Sequence, residues 1–145
     1  MFTGEGRMRL SKGELVLLKE AGYSARIIEL YRELTNFGFI ENPDATLDYT
    51  GPCGDIIKFY LMIDEKNVIE DVRFQYIGCP ALAASGSILT TIVKDKSLQE
   101  AKKITEETIL EQLGGLPDAE CHCAKLATTA LRKTIAKYEA MQTLR

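Results

Sequence analysis

The clearest periodicity lies in the middle of the chain. Across residues 55–63, Ile57, Phe59, Leu61 and Ile63 alternate with Lys58 and Tyr60. That period of two belongs to a strand with one buried face. A second run sets Val72, Phe74 and Tyr76 against Asp71, Arg73 and Gln75, and the polar Asp64-Glu-Lys-Asn67 joins the two. The pattern predicts an antiparallel hairpin with one dry and one wet face. A short strand is expected over Thr46–Thr50.

Both flanks read as helix. Ser11-Lys-Gly-Glu14 has capping-box spacing, with a hydroxyl at the N-cap and a carboxylate three residues on. Leu15 and Leu18 follow on one face, and Gly22 is the expected stop. A second helix is predicted from Ser24, with Ile27, Leu30, Tyr31 and Leu34 as its stripe and Gly38 as its end. Asn42-Pro43-Asp44 marks a turn. After the hairpin, Pro80 suits a first helical position, and Ala81, Ser85, Ile88, Leu89 and Ile92 would form one apolar face. Ser97-Leu-Gln-Glu100 repeats the capping box. Thr105-Glu-Glu-Thr108 opens a short helix stopped at Gly114-Gly115. A final helix from about Ala124 to Met141 has Ala127, Leu131, Ile135 and Tyr138 as its core stripe. Helix, strands, helices in that order predict an α+β fold with helices on one face of a small antiparallel sheet.

Composition adds bounds to this outline. The 145 residues are 46% hydrophobic and 27% charged, enough for one core in a single domain of ordinary size. No apolar run approaches the roughly 18 residues a membrane helix needs. Net charge is −3, and whole-protein charge argues against nucleic acid as a partner. There is no Gly-rich phosphate loop and no Ser/His/Asp set. The opening MFTGEGRMRL carries Glu5 and lacks the apolar stretch of a secretory signal. The expected location is cytoplasmic, where free thiols persist.

The candidate chemistry sits in the rarest residues, four Cys and one His. Cys53 stands in Gly51-Pro-Cys-Gly-Asp55, before the long strand. Cys79 lies in Ile77-Gly-Cys-Pro80, between strand and helix. Cys121 and Cys123 bracket His122 just before the last helix. All four fall at junctions, and Cys53 and Cys79 each sit between Gly and Pro, which suits exposed turns. A Cys at a helix N-terminus faces unpaired N–H groups and the positive end of the dipole, which favours the thiolate; Cys79 and Cys123 have that placement. Three sulfurs with His122 or Asp55 suit tetrahedral zinc or a small iron–sulfur cluster. A carboxylate is a hard donor, poorly matched to a soft cluster. Asp55 beside Cys53 therefore points to a cluster built and passed on rather than kept.

Three stretches resemble the NifU/IscU-type iron–sulfur cluster assembly scaffold family (NifU N-terminal-like domain): Gly51-Pro-Cys-Gly-Asp55, Gly78-Cys-Pro-Ala-Leu-Ala-Ala-Ser-Gly-Ser87 and His122-Cys-Ala-Lys-Leu-Ala127. Tyr23-Ser-Ala-Arg-Ile-Ile-Glu29 is similar to the family's opening helix. The resemblance spans roughly residues 23–140, so residues 1–22 read as an N-terminal helical extension and 23–145 as the scaffold domain. It implies a three-stranded antiparallel sheet packed against helices. It implies that Cys53, Cys79 and Cys123 bind a labile 2Fe-2S cluster, with Asp55 keeping the cluster exchangeable. His122 is the alternate or fourth ligand, and Cys121 is a further thiol outside the pattern. Cys123 would accept persulfide from a cysteine desulfurase, iron would enter the same site, and recipient apo-proteins would take the product. The implied role is scaffold and carrier, not enzyme.

Departures from the pattern are informative. The family's chaperone-recognition loop often reads Leu-Pro-Pro-Val-Lys; here it is Leu116-Pro-Asp-Ala-Glu120, which puts chaperone-assisted transfer in doubt. Leu30 replaces the usual histidine of the opening helix. The chain lacks the long insertion between Cys79 and Cys123 of the zinc-dependent, SufU-like sulfur carriers. The alternative is such a carrier, with zinc on the same donors. A cluster with incomplete protein ligation leaves sharing between two copies, a homo-oligomer, open. On the bland side, Lys125, Arg132 and Lys133 read as a solvated helix face, and Ser85 and Ser87 as packing or surface residues.

Overall fold

The computed structural model describes residues 9–116 and 122–144. Elements run α1 (Lys12–Glu20), α2 (Ala25–Glu33), β1 (Ala45–Thr50), β2 (Ile56–Ile63), β3 (Ile69–Ile77), α3 (Pro80–Val93), α4 (Leu98–Lys102), α5 (Glu106–Leu113) and α6 (His122–Thr143). The sheet is three-stranded in the order β1-β2-β3, and both pairings are antiparallel. The α+β class and the sheet expected from the sequence are therefore observed.

The strand alternation resolves as predicted. Ile57, Phe59, Leu61 and Ile63 are buried, as are Val72 and Phe74, while the intervening side chains face outward. The turn between β2 and β3 is fixed by Asp64, whose Oδ1 accepts from the N–H groups of Lys66 and Val68 at 2.8 and 3.0 Å. Both predicted capping boxes are formed, on Ser11 and Glu14 and on Ser97 and Glu100. α1 precedes the core and has no buried residue.

Three helices differ from expectation. α2 ends at Leu34, which adopts a left-handed conformation and donates its N–H to Leu30 O, rather than at Gly38. The chain leaves the helix early because β3 captures it: Gly38 N–H donates to Phe74 O and Phe74 N–H to Asn36 O. The Phe37 ring meets the Phe74 ring edge-on at 5.9 Å. This segment covers part of the free edge of β3.

The second difference is α3, which buries every residue from Ala81 to Thr90 rather than one face. It packs against β3, α2, α5 and α6 at once. Small side chains allow such enclosure. Two of its hydroxyls bond back within the helix: Ser85 Oγ donates to Ala81 O at 2.8 Å and Thr90 Oγ1 to Gly86 O at 2.8 Å, the back-bonding that lets a polar residue sit in a buried helix; the buried Ser87 Oγ finds no hydrogen-bond partner among the described residues. Gly86 is the point of closest approach, since a Cβ there would lie 2.5 Å from the Phe74 ring.

α6 begins at His122 rather than near Ala124, so His122 and Cys123 occupy its first turn. Its Arg132 is not on a solvated face. The guanidinium donates to the carbonyls of Lys102 and Ile104 at 3.2 and 2.6 Å, tying down the chain after α4. Lys125 and Lys133 are exposed, as expected.

Candidate metal centre

Three chain segments converge at one end of the sheet. The first is the β1–β2 turn. Gly51 N–H donates to Asp55 O at 2.8 Å and Gly54 N–H to Gly51 O at 3.0 Å. Gly54 has φ +86°, a conformation that favours glycine. The turn leaves Cys53 exposed and Asp55 half-buried. The second segment is the β3–α3 junction, where Cys79 is the N-cap of α3 with φ −87° and ψ 169°, followed by Pro80. Its carbonyl accepts from Leu82 N–H at 3.0 Å. The third is the first turn of α6.

The donors meet as follows. Cys79 Sγ and Cys123 Sγ are 3.5 Å apart. His122 Nε2 lies 3.9 Å from Cys123 Sγ and 3.8 Å from Asp55 Oδ2. Donor atoms of Asp55, His122 and Cys123 all lie within 4.8 Å of one another, and Cys79 adjoins this group through Cys123. Cys53 is two residues from Asp55 but its exposed side chain is not in that group. Cys121 and the loop residues 117–120 lie outside the described residues.

Burial divides the thiols in a way the sequence did not foretell. Turn placement suggested exposed thiols, yet Cys123 has 0% exposure. The start of α6 accounts for it. With the helix beginning at His122, Cys123 points inward with the stripe of Ala127 and Leu131, both buried. Cys123 is thus the buried donor of the group, while Cys79, Asp55 and His122 are half-buried and Cys53 is exposed.

The glycines of the motifs serve this convergence. A Cβ at Gly78 would lie 3.1 Å from Asp55 Cγ and 2.9 Å from Leu82 Cδ2; one at Gly51 would lie 2.9 Å from Leu126 Cδ1. Gly78 thus lets the carboxylate approach the cysteines, and Gly51 lets the turn settle on α6.

Two phenols belong to the surroundings of Cys79. The Tyr31 hydroxyl pKa is raised, chiefly by burial, with the charges of Glu14 and Cys79 adding. Tyr76 is raised further, again by burial first, then by Tyr31 and Cys79. Both remain neutral donors at physiological pH. The sequence showed them only as members of apolar stripes, and nothing in their spacing marks them as neighbours of a cysteine. A groove of about 280 Å³ opens beside His122, lined also by Tyr49, Pro52, Lys125, Leu126 and Thr129. A larger cavity on the open face of the sheet, about 400 Å³, contains none of the donors, so size does not mark the site.

The fold is a small α+β domain whose Asp55, His122 and Cys123 donors, with Cys79 beside them, could hold a metal ion. The chain belongs to the NifU-like N-terminal domain family, which matches residues 22–144. It is 39% identical over 117 residues to the iron-sulfur cluster assembly scaffold protein IscU 1 of Archaeoglobus fulgidus, covering 80% of this chain and 76% of that protein. It is 36% identical over 122 residues to the scaffold protein IscU of Escherichia coli, covering 81% and 94%. The NifU-like N-terminal protein of Brucella abortus shares the fold with TM-score 0.70 at 18% identity, over 85% of this chain and 98% of that one. A SUF-system scaffold protein of Fervidobacterium islandicum shares it with TM-score 0.66 at 21% identity, over 78% and 96%.

Proposed function

We propose that this protein is an iron–sulfur cluster assembly scaffold. It receives iron and persulfide sulfur, builds a labile 2Fe-2S cluster on Cys53, Cys79 and Cys123, and transfers it to apo-proteins. The observation that carries this reading is the meeting of Cys79 and Cys123 at 3.5 Å beside Asp55 and His122. Membership of the family and the scaffold relatives support it.

The geometry suggests a role for each donor. Cys123, buried, and Cys79, half-buried, form the sulfur half of the site. Cys53, on its exposed turn, completes it by folding over the cargo. Asp55 is the hard, exchangeable ligand through which the cluster is released, and His122 is the alternative fourth donor. Cys123 accepts persulfide from a cysteine desulfurase. Because Cys123 is buried, that delivery requires the site to open around it. The protein acts as carrier rather than enzyme. We read residues 1–22 as an extension and 23–145 as the scaffold domain. Among the described residues no helix is long and apolar enough to cross a membrane, which accords with a cytoplasmic carrier.

The test is cluster transfer. Protein reconstituted without oxygen is mixed with an apo-ferredoxin, and the acceptor's visible spectrum is followed. The wild type is expected to pass its cluster on. Asp55→Ala is expected to hold its cluster roughly tenfold longer and to transfer correspondingly slowly, an effect on the scale of changes around a metal site. Faster loss from Asp55→Ala would refute the role given to Asp55. Failure of the wild type to transfer would refute the scaffold reading.

A zinc-dependent sulfur carrier is the second reading. The mixed oxygen, nitrogen and sulfur donors of Asp55, His122 and Cys123 also suit tetrahedral zinc. Zinc in place of iron after oxygen-free purification would favour it.

A further inference from the structure

Cys79 Sγ and Cys123 Sγ stand 3.5 Å apart, closer than the 3.9 Å from Cys123 to His122 or the 3.8 Å from His122 to Asp55. It lies at the edge of the roughly 3–3.5 Å range from which bound groups react. Two thiolates on one tetrahedral metal, with bonds of about 2.3 Å, stand roughly 3.8 Å apart, so a 3.5 Å pair serves shared ligation and direct sulfur–sulfur contact alike. Delivered sulfur, however, presents a separate chemical demand. The outer sulfur of a persulfide is at oxidation state zero and cluster sulfide is two electrons more reduced, so each sulfur must gain an electron pair.

We propose that Cys79 is the resolving thiol that reduces a persulfide on Cys123 to sulfide within the site. This deepens the scaffold reading and rests on its assignment of Cys123 as acceptor. The Cys79 thiolate attacks Sγ of the Cys123 persulfide. The Sγ–Sγ bond forms, the bond from Cys123 Sγ to the terminal sulfur breaks, and the terminal sulfur leaves with that electron pair as hydrosulfide. Each cysteine sulfur is oxidised by one electron and the terminal sulfur is reduced by two, so the step balances without another reductant. An external dithiol then reopens the disulfide and restores both ligands.

The surroundings favour the step. Attack must follow the S–S axis and end at a bond of about 2.05 Å, and the two thiols approach from different helices rather than from one short loop. The Cys79 side chain is not used to cap α3, although it occupies the N-cap. Cys123 is fully buried, so hydrosulfide is released beside Asp55 and His122 and not into bulk water. Cys53 is exposed on its turn and stands outside the close donor group.

The experiment uses metal-free protein, reduced and then given a single equivalent of glutathione persulfide, with small thiols removed at once. Free sulfide, intact mass and disulfide-linked peptides are measured for the wild type and for Cys79→Ser. Serine is a good N-cap, so this variant keeps α3. The wild type is expected to release its sulfur as sulfide and to show a Cys79–Cys123 disulfide. Cys79→Ser is expected to keep a sulfur-heavier mass, with sulfide release slowed by roughly tenfold or more, as loss of an oriented intramolecular partner implies. Sulfide release from Cys79→Ser at the wild-type rate would overturn the proposal. So would a disulfide linking Cys123 to Cys53 or Cys121 instead, or a stable persulfide on the wild type. Persulfide absent from Cys123 in both proteins, with no sulfide released, would overturn the acceptor assignment itself, a distinct failure.

Discussion

Cys123→Ser is expected to lose the metal centre while keeping the fold. The thiol is fully buried and 3.5 Å from Cys79 Sγ, so it forms the inner wall of the site. Serine is nearly isosteric but offers a hydroxyl, a hard donor that stays protonated near neutral pH and binds soft metals poorly. Changes merely surrounding a site cost ten- to a hundredfold in affinity; removal of a central ligand should cost more than roughly a hundredfold on that scale. Zinc titration against a competing chelator reads the loss for a single ion, and iron retained after anaerobic reconstitution reads it for the cluster. Thermal unfolding serves as the control. The core that surrounds position 123 (Ala124, Ala127 and Leu131) is untouched, and a buried hydroxyl lacking a partner costs about 1–3 kcal/mol. Wild-type affinity in Cys123→Ser would remove Cys123 from the ligand set.

Gly86→Val is expected to produce the largest loss of stability. Position 86 faces the Phe74 ring, and a Cβ there would stand 2.5, 2.6 and 2.9 Å from three ring carbons. The ring has nowhere to go, since Phe74 is itself fully buried and packs against Phe37, Phe59 and Tyr76. Relief requires α3 to lift off the sheet, opening contacts with α2, α5 and α6 as well. The cost is set at about 3 kcal/mol, the upper end for overpacking. At 2–4 °C per kcal/mol for a chain of this size, the melting temperature should fall by roughly 6–12 °C. Because α3 carries Cys79 at its N-terminus, metal affinity should fall with it. An unchanged melting temperature would mean that helix and sheet are not in contact at this point.

What could be read from the sequence was whatever local chemistry decides. The alternation through Ile57, Phe59, Leu61 and Ile63 fixed both strand type and buried face, because a one-residue slip would invert every side chain. Ser11 with Glu14, and Ser97 with Glu100, marked helix starts because those reciprocal bonds need only four residues. The ends and faces decided by distant partners were not legible. α2 stops at Leu34 because the backbone at 36–38 joins Phe74, far along the chain. α3 has no polar face because four other elements enclose it, and its small residues give no period that says so. At the site, the motifs identified Cys53, Asp55, Cys79, His122 and Cys123 as candidates; the structure brings the last four together and leaves Cys53 exposed outside the close group. The burial of Cys123 depends on α6 starting two residues early, at His122. The placement of Tyr31 and Tyr76 around Cys79 depends on the packing of α2 against α3 and of α3 against β3. Neither leaves a mark in spacing.

The inner sulfurs and the outer oxygen and nitrogen donors are assigned here to a single inorganic cargo. Protein purified without oxygen, reconstituted with iron and sulfide and desalted, should be assayed for iron, acid-labile sulfide and zinc per chain alongside its visible spectrum. The account predicts about two iron and two sulfide per cluster with charge-transfer absorption, and zinc well below iron. A colourless protein that binds neither iron nor sulfide would contradict it.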